Sequence, residues 1–272
     1  MSNRKDFIPI LDEEASGVSP DANSVANLWD INADSWAKAR AAGGQAVVDR
    51  LYGDEVFRML SPMSGSRLLD VGCGEGGFSR RAAQAGARVT GVDISSKMIS
   101  IAKSEEQRQS QGIEFIANDI AKLHDLERTF DAAMAIMSLK DMPDAAQAID
   151  VIASLLKADG VFVFVVYHPC FAAPGSGWRR TDVEPFWQFD PGWYWKERPV
   201  LERWMPEGVS DFLPSPIFHF HRRLETYSQY LKDSAFSVVQ IREICALPRL
   251  APPQMPTSLP LYLVVKARKL KR

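Results

Sequence analysis

The clearest guide to the fold of this 272-residue chain is one continuous run, Arg67-Leu68-Leu69-Asp70-Val71-Gly72-Cys73-Gly74-Glu75-Gly76-Gly77. Its first five residues are largely apolar and predict a short strand, and the glycines after them predict a tight turn into a helix. Because glycine has no Cβ, such a turn lets the backbone approach an adenosine-containing ligand closely. The spacing fits both G-x-G-x-x-G and G-x-G-x-G, and ligand-free turns also use glycine. The loop alone therefore leaves a cofactor site and a plain turn open.

Apolar runs separated by helical patterns extend from this loop toward the end of the chain. Strands are predicted at 67–71, 88–93, 113–117, 130–136, 161–166, 236–244 and 259–266. Helices are predicted between them, at about 77–85, 95–109, 145–157 and 224–234. Strands that alternate with helices at this spacing form a parallel sheet with helices on both faces. The fold class is therefore α/β, with seven candidate strands.

Two further regions flank this core. Residues 21–60 have apolar side chains at three- and four-residue steps and predict a helical cap that Gly43-Gly44 interrupts. A segment with no clean period contains five of the seven tryptophans, which predicts an aromatic lid, with a satellite core or a dimer surface as the alternative. We expect four regions: a tail and helical cap at 1–60, the α/β core at 61–170, the aromatic and proline-rich insertion at 171–222, and a last helix with a final hairpin at 223–272.

Polar side chains stand at the ends of the first three predicted strands. Asp70 lies beside the glycine loop, Asp93 ends the second strand, and Asn118-Asp119 follows the third. Carboxyl ends of parallel strands are where ligands bind in such sheets, and a carboxylate after the second strand can accept hydrogen bonds from ribose hydroxyls. This ordered set favours a nucleoside-containing cofactor over three unrelated turn aspartates.

These motifs resemble those of class I S-adenosylmethionine-dependent methyltransferases. The resemblance is carried by 69–76, Gly91-Val92-Asp93-Ile94-Ser95, Asn118-Asp119-Ile120, Phe130-Asp131-Ala132 and the turn Leu155-Leu156-Lys157-Ala158-Asp159-Gly160. It is strongest over about 65–168 and is closest to the small-molecule branch of quinone-biosynthesis type. It implies a Rossmann-like, seven-stranded, mostly parallel sheet with an antiparallel last strand, and S-adenosyl-L-methionine as cofactor with S-adenosyl-L-homocysteine as product.

The resemblance also implies roles for individual residues. Gly72, Cys73 and Gly74 would line the methionine and adenosine moieties, with Asp70 near the amino group. Asp93 would contact the ribose and Met98 the base, and Ile94 is an additional expected cofactor contact. Further cofactor contacts are expected from Asn118, Asp119, Ile120, Met137, Ser138, Trp36 and Arg40. A helix that packs on the core through its tryptophans is the alternative interpretation of Trp29, Trp36 and Arg40.

Acceptor contacts and a base are predicted on the same edge of the sheet. His168 follows the fifth strand, and His219 and His221 alternate in an apolar run, so that both would face one side of a strand. Each is a candidate base or substrate contact. Substrate contacts are expected from Trp29, Tyr167, Trp178, Trp193 and Trp195, because aromatic faces bind flat rings or amines. The two alternating histidines have no evident third ligand, so no metal site is predicted.

The expected activity is methyl transfer to oxygen or nitrogen of a small, planar or heteroaromatic metabolite. A formal net charge of −2 disfavours a nucleic-acid partner, since such domains are usually basic. An RNA methyltransferase, a non-catalytic cofactor-binding partner subunit and, more distantly, a nicotinamide oxidoreductase remain alternatives. The widely spaced Cys73, Cys170 and Cys245 predict neither a disulfide framework nor a zinc site, and no apolar run is long enough for a membrane span. We expect a cytoplasmic monomer or homodimer.

Overall fold

The computed structural model describes residues 10–11, 17–123, 126, 130–174, 176–179, 186–189, 191–204, 213–245 and 259–271, with the backbone alone at 10, 11, 177–179, 186 and 187. The helices are α1 (Ala22–Ala39), α2 (Gln45–Val48), α3 (Asp54–Leu60), α4 (Gly77–Gln84), α5 (Ser96–Arg108), α6 (Ala145–Leu155), α7 (Pro191–Trp195) and α8 (Leu224–Asp233). The strands are β1 (Ile10–Leu11), β2 (Arg67–Val71), β3 (Arg88–Asp93), β4 (Glu114–Ala117), β5 (Phe130–Ile136), β6 (Leu156–Tyr167), β7 (Gly177–Arg179), β8 (Phe186–Gln188), β9 (Arg198–Glu202), β10 (Ile217–His221), β11 (Phe236–Cys245) and β12 (Pro260–Lys269).

A seven-stranded sheet forms the centre of the molecule, in the order β11-β12-β6-β5-β2-β3-β4. Neighbours from β6 to β4 run parallel to one another. Strand β12 pairs antiparallel with both β6 and β11. The predicted mostly parallel sheet with an antiparallel last strand is therefore confirmed.

Alternating side chains of the central strands build one core layer on each face of the sheet. On β6, Phe162 and Phe164 pack in one layer while Val163 and Val165 pack in the other. Helices α6 and α8 contribute to the first layer and α3, α4 and α5 to the second. Burial on both faces explains why the central strands read as continuous apolar runs rather than alternating ones.

The N-terminal cap is helical, as its spacing predicts, but it is not one helix. Gly43 has φ of +116°, and the chain turns there between α1 and α2. Short stretches of wider helical turns follow at Arg40–Gly44 and Asp49–Gly53 before α3 ends at Leu60. The interruption at the glycine pair separates α1 from the shorter helices α2 and α3.

The insertion contains regular structure that its sequence does not predict. β9 pairs antiparallel with β10, and the short β1 from the N-terminal tail pairs with the other side of β9. The sequence of 171–222 shows no period because proline and tryptophan interrupt it, yet short strands form where they can hydrogen-bond to one another. The run Ile217–His221 is a strand, as the alternation of its two histidines requires.

The order of the strands creates a crevice at one edge of the sheet. β2 and β5 are neighbours, although β3 and β4 lie between them in the chain. The connections from these two strands lead to opposite sides, and such a switch point is where α/β sheets bind ligands. Within the described ranges, no helix is long and apolar enough to cross a membrane.

Candidate active site

The glycine loop after β2 comes into close contact with the chain that follows β5. Gly72 has φ of +70°, and a Cβ built on it would lie 2.3 Å from Cβ of Ser138. The Ser138 hydroxyl donates a hydrogen bond of 2.6 Å to the carbonyl of Val71. Gly74, at φ +56°, has only Trp36 near its missing side chain, at 3.7 Å. Glycine at both positions therefore keeps a backbone-lined cradle open at the switch point.

Asp93 fixes the end of β3 to this loop. Its two carboxylate oxygens accept hydrogen bonds from the backbone N–H of Gly74, at 2.8 Å, and of Ser95, at 2.9 Å. Burial raises the pKa of Asp93 to about 6, although both backbone donors act in the opposite direction. The carboxylate is thus held in a fixed orientation at the rim of the cradle.

The turn after β5 carries backbone strain. Met137 has φ of +58°, a conformation uncommon for a residue with a side chain, and its N–H donates to the carbonyl of Val165 at 2.9 Å. Strained residues of this kind concentrate at ligand sites, where the surrounding structure maintains them. Here the strain lets Met137 and Ser138 line the crevice opposite Gly72.

Three tryptophans form a wall over the crevice. Trp29 and Trp36 come from α1 and Trp204 from the insertion, with ring centroids 4.9 to 6.4 Å apart. Nε1 of Trp36 donates a hydrogen bond of 2.8 Å to the buried carboxylate of Glu75 in the glycine loop, and the guanidinium of Arg40 lies 4.2 Å from the Trp36 ring centroid. The cap, the insertion and the loop are thereby connected through Trp36.

These elements enclose a pocket of about 320 Å³. Its volume lies within the ~300–1,000 Å³ common for small-molecule sites. Its polar and charged lining includes Arg40, Asp93, Asn118, Asp119, Lys122, Ser138, Asp141, Asp144 and Gln147. Its remaining lining is mainly apolar and includes Val25, Trp29, Trp36, Gly72, Gly74, Ile94, Met98, Ile120, Met137, Met142 and Trp204. Acids outnumber bases in this lining, which suits a ligand that carries positive charge.

Most residues expected at the cofactor line this pocket, but two do not. The structure brings Trp36, Arg40, Gly72, Gly74, Asp93, Ile94, Met98, Asn118, Asp119, Ile120, Met137 and Ser138 together, and Trp29 with them. Asp70 and Cys73 are buried and do not line the pocket. Asp70 accepts a hydrogen bond of 2.5 Å from the Ser79 hydroxyl, and burial raises its pKa to about 7, against the effect of that hydroxyl. Asp70 thus connects the end of β2 to the helix α4 through Ser79.

None of the described pocket-lining residues is a histidine. His168 directly follows β6 and is buried outside the pocket lining, with Nε2 3.0 Å from the Glu243 carboxylate on β11, and burial lowers its pKa. Burial lowers the pKa of His221 to about 4, and its Nε2 lies 3.0 Å from the backbone carbonyl oxygen of Tyr194. Among the described residues, no three His, Cys, Asp or Glu side chains are grouped as a metal site requires.

The aromatic residues expected to contact substrate are spread over the insertion rather than collected at the pocket. Trp195 is 66% exposed, with Arg223 5.5 Å from its ring centroid, and Trp193 lies under Arg198 at 3.8 Å. Tyr167 packs 5.4 Å from the His219 ring, outside the pocket lining. The side chain of Trp178 lies outside the described residues. Trp204 lines the pocket instead, because the chain after β9 turns back toward α1.

A buried charged cluster next to the pocket was not singled out from the sequence. Nζ of Lys140 lies 2.5 Å from the Asp141 carboxylate, and His219 Nδ1 lies 3.1 Å from the Glu202 carboxylate. Burial raises the pKa of Asp141, with Lys140 opposing, whereas in Glu202 the effects of His219 and Lys140 outweigh burial and lower the pKa. The sequence signal is a charged doublet, Lys140-Asp141, at the apolar end of β5.

Arg222 holds the same turn from the insertion side. Its guanidinium donates hydrogen bonds to the carbonyl oxygens of Leu139 at 3.2 Å, Met142 at 2.6 Å and Pro143 at 3.0 Å, as well as to that of Phe220. Arg222 is buried, so these bonds are shielded from water. The pocket wall at 139–143 is therefore fixed by a residue far from it in the chain.

The chain is similar in sequence to known methyltransferases. A family model described as a methyltransferase domain matches residues 69–164. The ubiquinone biosynthesis O-methyltransferase of Coxiella burnetii is 29% identical over 153 residues, which are 56% of this chain and 65% of the relative. The match thus spans slightly less than two thirds of that relative's length.

Solved structures agree with this similarity. An S-adenosylmethionine-dependent methyltransferase from Mesorhizobium loti is 28% identical, with a TM-score of 0.65 over 80% of this chain and 98% of that one. A structure from Listeria monocytogenes described as a putative S-adenosylmethionine-dependent methyltransferase shares the fold, with a TM-score of 0.68 at 24% identity over 83% of this chain and 100% of that one. The fold and the crevice are typical of an α/β protein that binds a nucleoside-containing cofactor. Together with these matches, they support a class I S-adenosylmethionine-dependent methyltransferase with S-adenosylmethionine as its cofactor.

Proposed function

We propose that this protein transfers the methyl group of S-adenosylmethionine to oxygen or nitrogen of a small planar acceptor. The observation that carries the proposal is the pocket itself, in which the glycine cradle, the strained turn after β5 and the tryptophan wall meet at the switch point. Oxygen is the favoured acceptor atom, because the curated relative is an O-methyltransferase.

The pocket residues fit S-adenosylmethionine on two counts. Gly72 and Gly74 leave the cradle free of Cβ atoms, and the acids of the lining complement a ligand with sulfonium and ammonium charges. We assign the ribose hydroxyls to Asp93 and the adenine to Asn118, Asp119, Ile120 and Met98. Met137 and Ser138 would border the sulfur, and Arg40 would pair with the carboxylate of the methionine moiety.

When bound, S-adenosylmethionine supplies an electrophilic methyl group with its own leaving group. The chain's task is then to align the acceptor and to keep water out. A lone pair held about 3–3.5 Å from the methyl carbon gains ~7–11 kcal/mol from proximity and orientation. Trp29, Trp36 and Trp204 are suited to hold a flat ring, and their wall covers the crevice against solvent.

Calorimetric titration tests the cofactor part of this proposal. We expect S-adenosylmethionine and S-adenosylhomocysteine to bind, NADH and NADPH not to bind, and Asp93→Ala to weaken both sulfur ligands by ~10–100-fold, since hydrogen bonds to a charged group contribute ~1.5–3 kcal/mol. Asp150→Asn, on the exposed side of α6, is the control and should bind as the wild type does. Binding of NADH in place of the sulfur ligands would contradict the proposal.

Methyl transfer is then measured with methyl-labelled cofactor and separate pools of small aromatic hydroxyl compounds, aromatic amines and extracted RNA. Label in the hydroxyl or amine pool supports the proposal and identifies the acceptor atom. Label in RNA, lost at raised salt, would favour the RNA methyltransferase alternative. Cofactor binding with no label in any pool would favour a non-catalytic binding subunit.

A further inference from the structure

We propose that Asp141 accepts the proton that the acceptor loses during methyl transfer, and that buried Lys140, Glu202 and His219 hold Asp141 in position. This inference rests on the proposed function and adds a residue that takes part in the reaction. It gives the role of base to a carboxylate rather than to one of the three histidines that the sequence suggested.

The position of Asp141 at the pocket is the first observation. It ends the turn Leu139–Asp141, directly after Met137 and Ser138, and Asp141 lines the same pocket as the tryptophan wall. Oδ1 is bound by Lys140 at 2.5 Å, which leaves Oδ2 as the oxygen available to a ligand. An acceptor that stacks on the tryptophans therefore has this carboxylate within the same cavity.

The surroundings of Lys140 are the second observation. Its side chain is 1% exposed, and Nζ lies 5.1 Å from the Tyr167 ring centroid and 5.5 Å from that of Trp204. Burial alone would favour the protonated form of Asp141, whereas an adjacent ammonium favours the ionised form. On balance burial raises the pKa of Asp141, which makes the carboxylate a better proton acceptor, and Lys140 limits that rise by favouring the ionised form.

The third observation is that the insertion contributes two charged partners, Glu202 and His219, to the cluster around Lys140 and Asp141. Glu202 on β9 and His219 on β10 form a buried pair, and Glu202 interacts with Lys140 as well. The groups whose charge acts on Asp141 come from several elements: Lys140, His219, Glu202, Asp93 and Tyr227. Lys140 and His219 favour its ionised form, while Glu202 and Asp93 oppose it. Lys140, Glu202 and His219 are therefore positioning residues, and only Asp141 faces the pocket.

The reaction balances with Asp141 as base. The acceptor oxygen forms a bond to the methyl carbon, the carbon–sulfur bond breaks, and its electron pair remains on sulfur. The hydroxyl proton of the acceptor passes to the Asp141 carboxylate and leaves to solvent when the product departs. A sulfonium and a carboxylate are thereby replaced by a neutral thioether and a neutral acid. An amine acceptor would lose its N–H proton in the same way.

Two probes that differ in acidity separate a base from a structural residue. Catechol carries a neutral hydroxyl near pH 7.5, whereas 4-nitrocatechol is largely ionised there and needs no base. We expect Asp141→Asn to lower kcat/KM for catechol by ~10²–10⁴-fold, the usual effect of general base catalysis, and for 4-nitrocatechol by far less. Asp150→Asn should leave both rates unchanged.

Loss of one partner of a buried ion pair can unfold the protein, so the design includes folding controls. S-adenosylhomocysteine binding reports on the fold of each variant, and Lys140→Met combined with Asp141→Asn removes the pair together. The single variant Lys140→Met should retain activity at high pH, and the acidic limb of its catechol pH profile should move to higher pH, because the charge that opposes the rise in the pKa of Asp141 is then removed.

The outcomes distinguish this inference from the proposed function. Suppose that Asp141→Asn binds S-adenosylhomocysteine and that its kcat/KM falls equally for both probes, or falls for neither. Asp141 is then not the base, while the methyltransferase proposal stands. An unmoved pH profile in Lys140→Met would overturn the role of Lys140. If the wild type binds S-adenosylhomocysteine but methylates neither probe, the planar hydroxyl acceptor is wrong and this inference falls with it.

Discussion

Single atoms determine whether the crevice can exist, and Gly72 is the clearest case. Gly72 is constrained both by its left-handed backbone and by its closeness to Ser138. Gly65 has the left-handed backbone without a close neighbour. Gly65 has φ of +76°, but no atom lies within 4 Å of the position its Cβ would take. The pair allows backbone strain to be separated from steric overlap.

We expect Gly72→Ala to abolish most S-adenosylhomocysteine binding, because a Cβ 2.3 Å from that of Ser138 forces the loop and the β5 turn apart. Gly65→Ala should cost only the ~1–2 kcal/mol of a left-handed alanine and leave binding intact. Calorimetry and urea unfolding measure the two effects. Equal binding losses in both variants would show that backbone strain, not the contact with Ser138, is responsible.

Asp70 gives a prediction about pH. Its pKa is about 7 in the folded protein against an ordinary value of 3.8, so folding favours its protonated form. The stability that it contributes is present below about pH 4 and is lost as the pH rises to about 7. The free energy of unfolding of Asp70→Asn should therefore change less with pH than that of the wild type between about pH 4 and 7. Urea unfolding at several pH values tests this, and parallel curves would contradict it.

At the scale of elements, the turn after β5 depends on a strand that follows it by 80 residues. Arg222 follows β10 and binds three carbonyl oxygens of 139–143. We expect Arg222→Met to destabilise the protein by ~3 kcal/mol or more, since each buried acceptor left unpaired costs ~1–3 kcal/mol. The free energy of unfolding of Arg222→Lys should lie between those of the wild type and Arg222→Met. A lysine ammonium keeps the charge but lacks the planar guanidinium that donates to several oxygens at once.

Urea unfolding measures this loss, and the affinity for S-adenosylhomocysteine shows whether the pocket wall has moved. A loss below ~0.5 kcal/mol in Arg222→Met would be typical of an ordinary surface change and would contradict the anchoring role.

The elements of the core could be predicted from the sequence, whereas those of the insertion could not. Alternation of strands and helices is a local pattern, so β2 to β5 are predicted to within one residue of their observed bounds. β9 and β10 are stabilised by pairing with each other and with β1, and this pairing leaves no period in the sequence. β6 begins at Leu156, several residues earlier than its apolar run suggests, because Leu156 pairs with Phe130.

The candidate site divides in the same way. Residues that follow parallel strands lie at the same edge by topology alone, so Asp93 and Asn118 could be assigned to the crevice from the sequence. Ser138 was expected there from the family resemblance. Trp204 and Arg222 reach it through the fold of the insertion, which no local pattern encodes. The histidines were predicted as bases because an imidazole can accept a proton near neutral pH. The sequence does not show that they are buried or that they do not line the pocket.

At the scale of the whole molecule, two sheets meet through buried ionisable groups, and acid should weaken this junction. His221 on β10 has a pKa of about 4 instead of 6.5, because burial disfavours its charged form. Its contribution to stability is full above pH 6.5 and is lost as the pH falls to about 4, a change of ~3 kcal/mol.

His221→Gln keeps a donor for the Tyr194 carbonyl but does not titrate in this range. We expect its free energy of unfolding to fall less than that of the wild type between pH 6.5 and 4. Urea unfolding across this range provides the comparison, and an equal fall in both proteins would assign the acid sensitivity to other groups.

The tryptophan wall gives the protein an optical property. Three of its seven tryptophans line one pocket, and one of them is hydrogen-bonded to a carboxylate in the glycine loop. A molecule that enters this pocket changes the polarity around these indoles, so the emission of the unlabelled protein should report occupancy directly. Stopped-flow fluorescence could then follow the arrival of each ligand in turn and show which one must enter first.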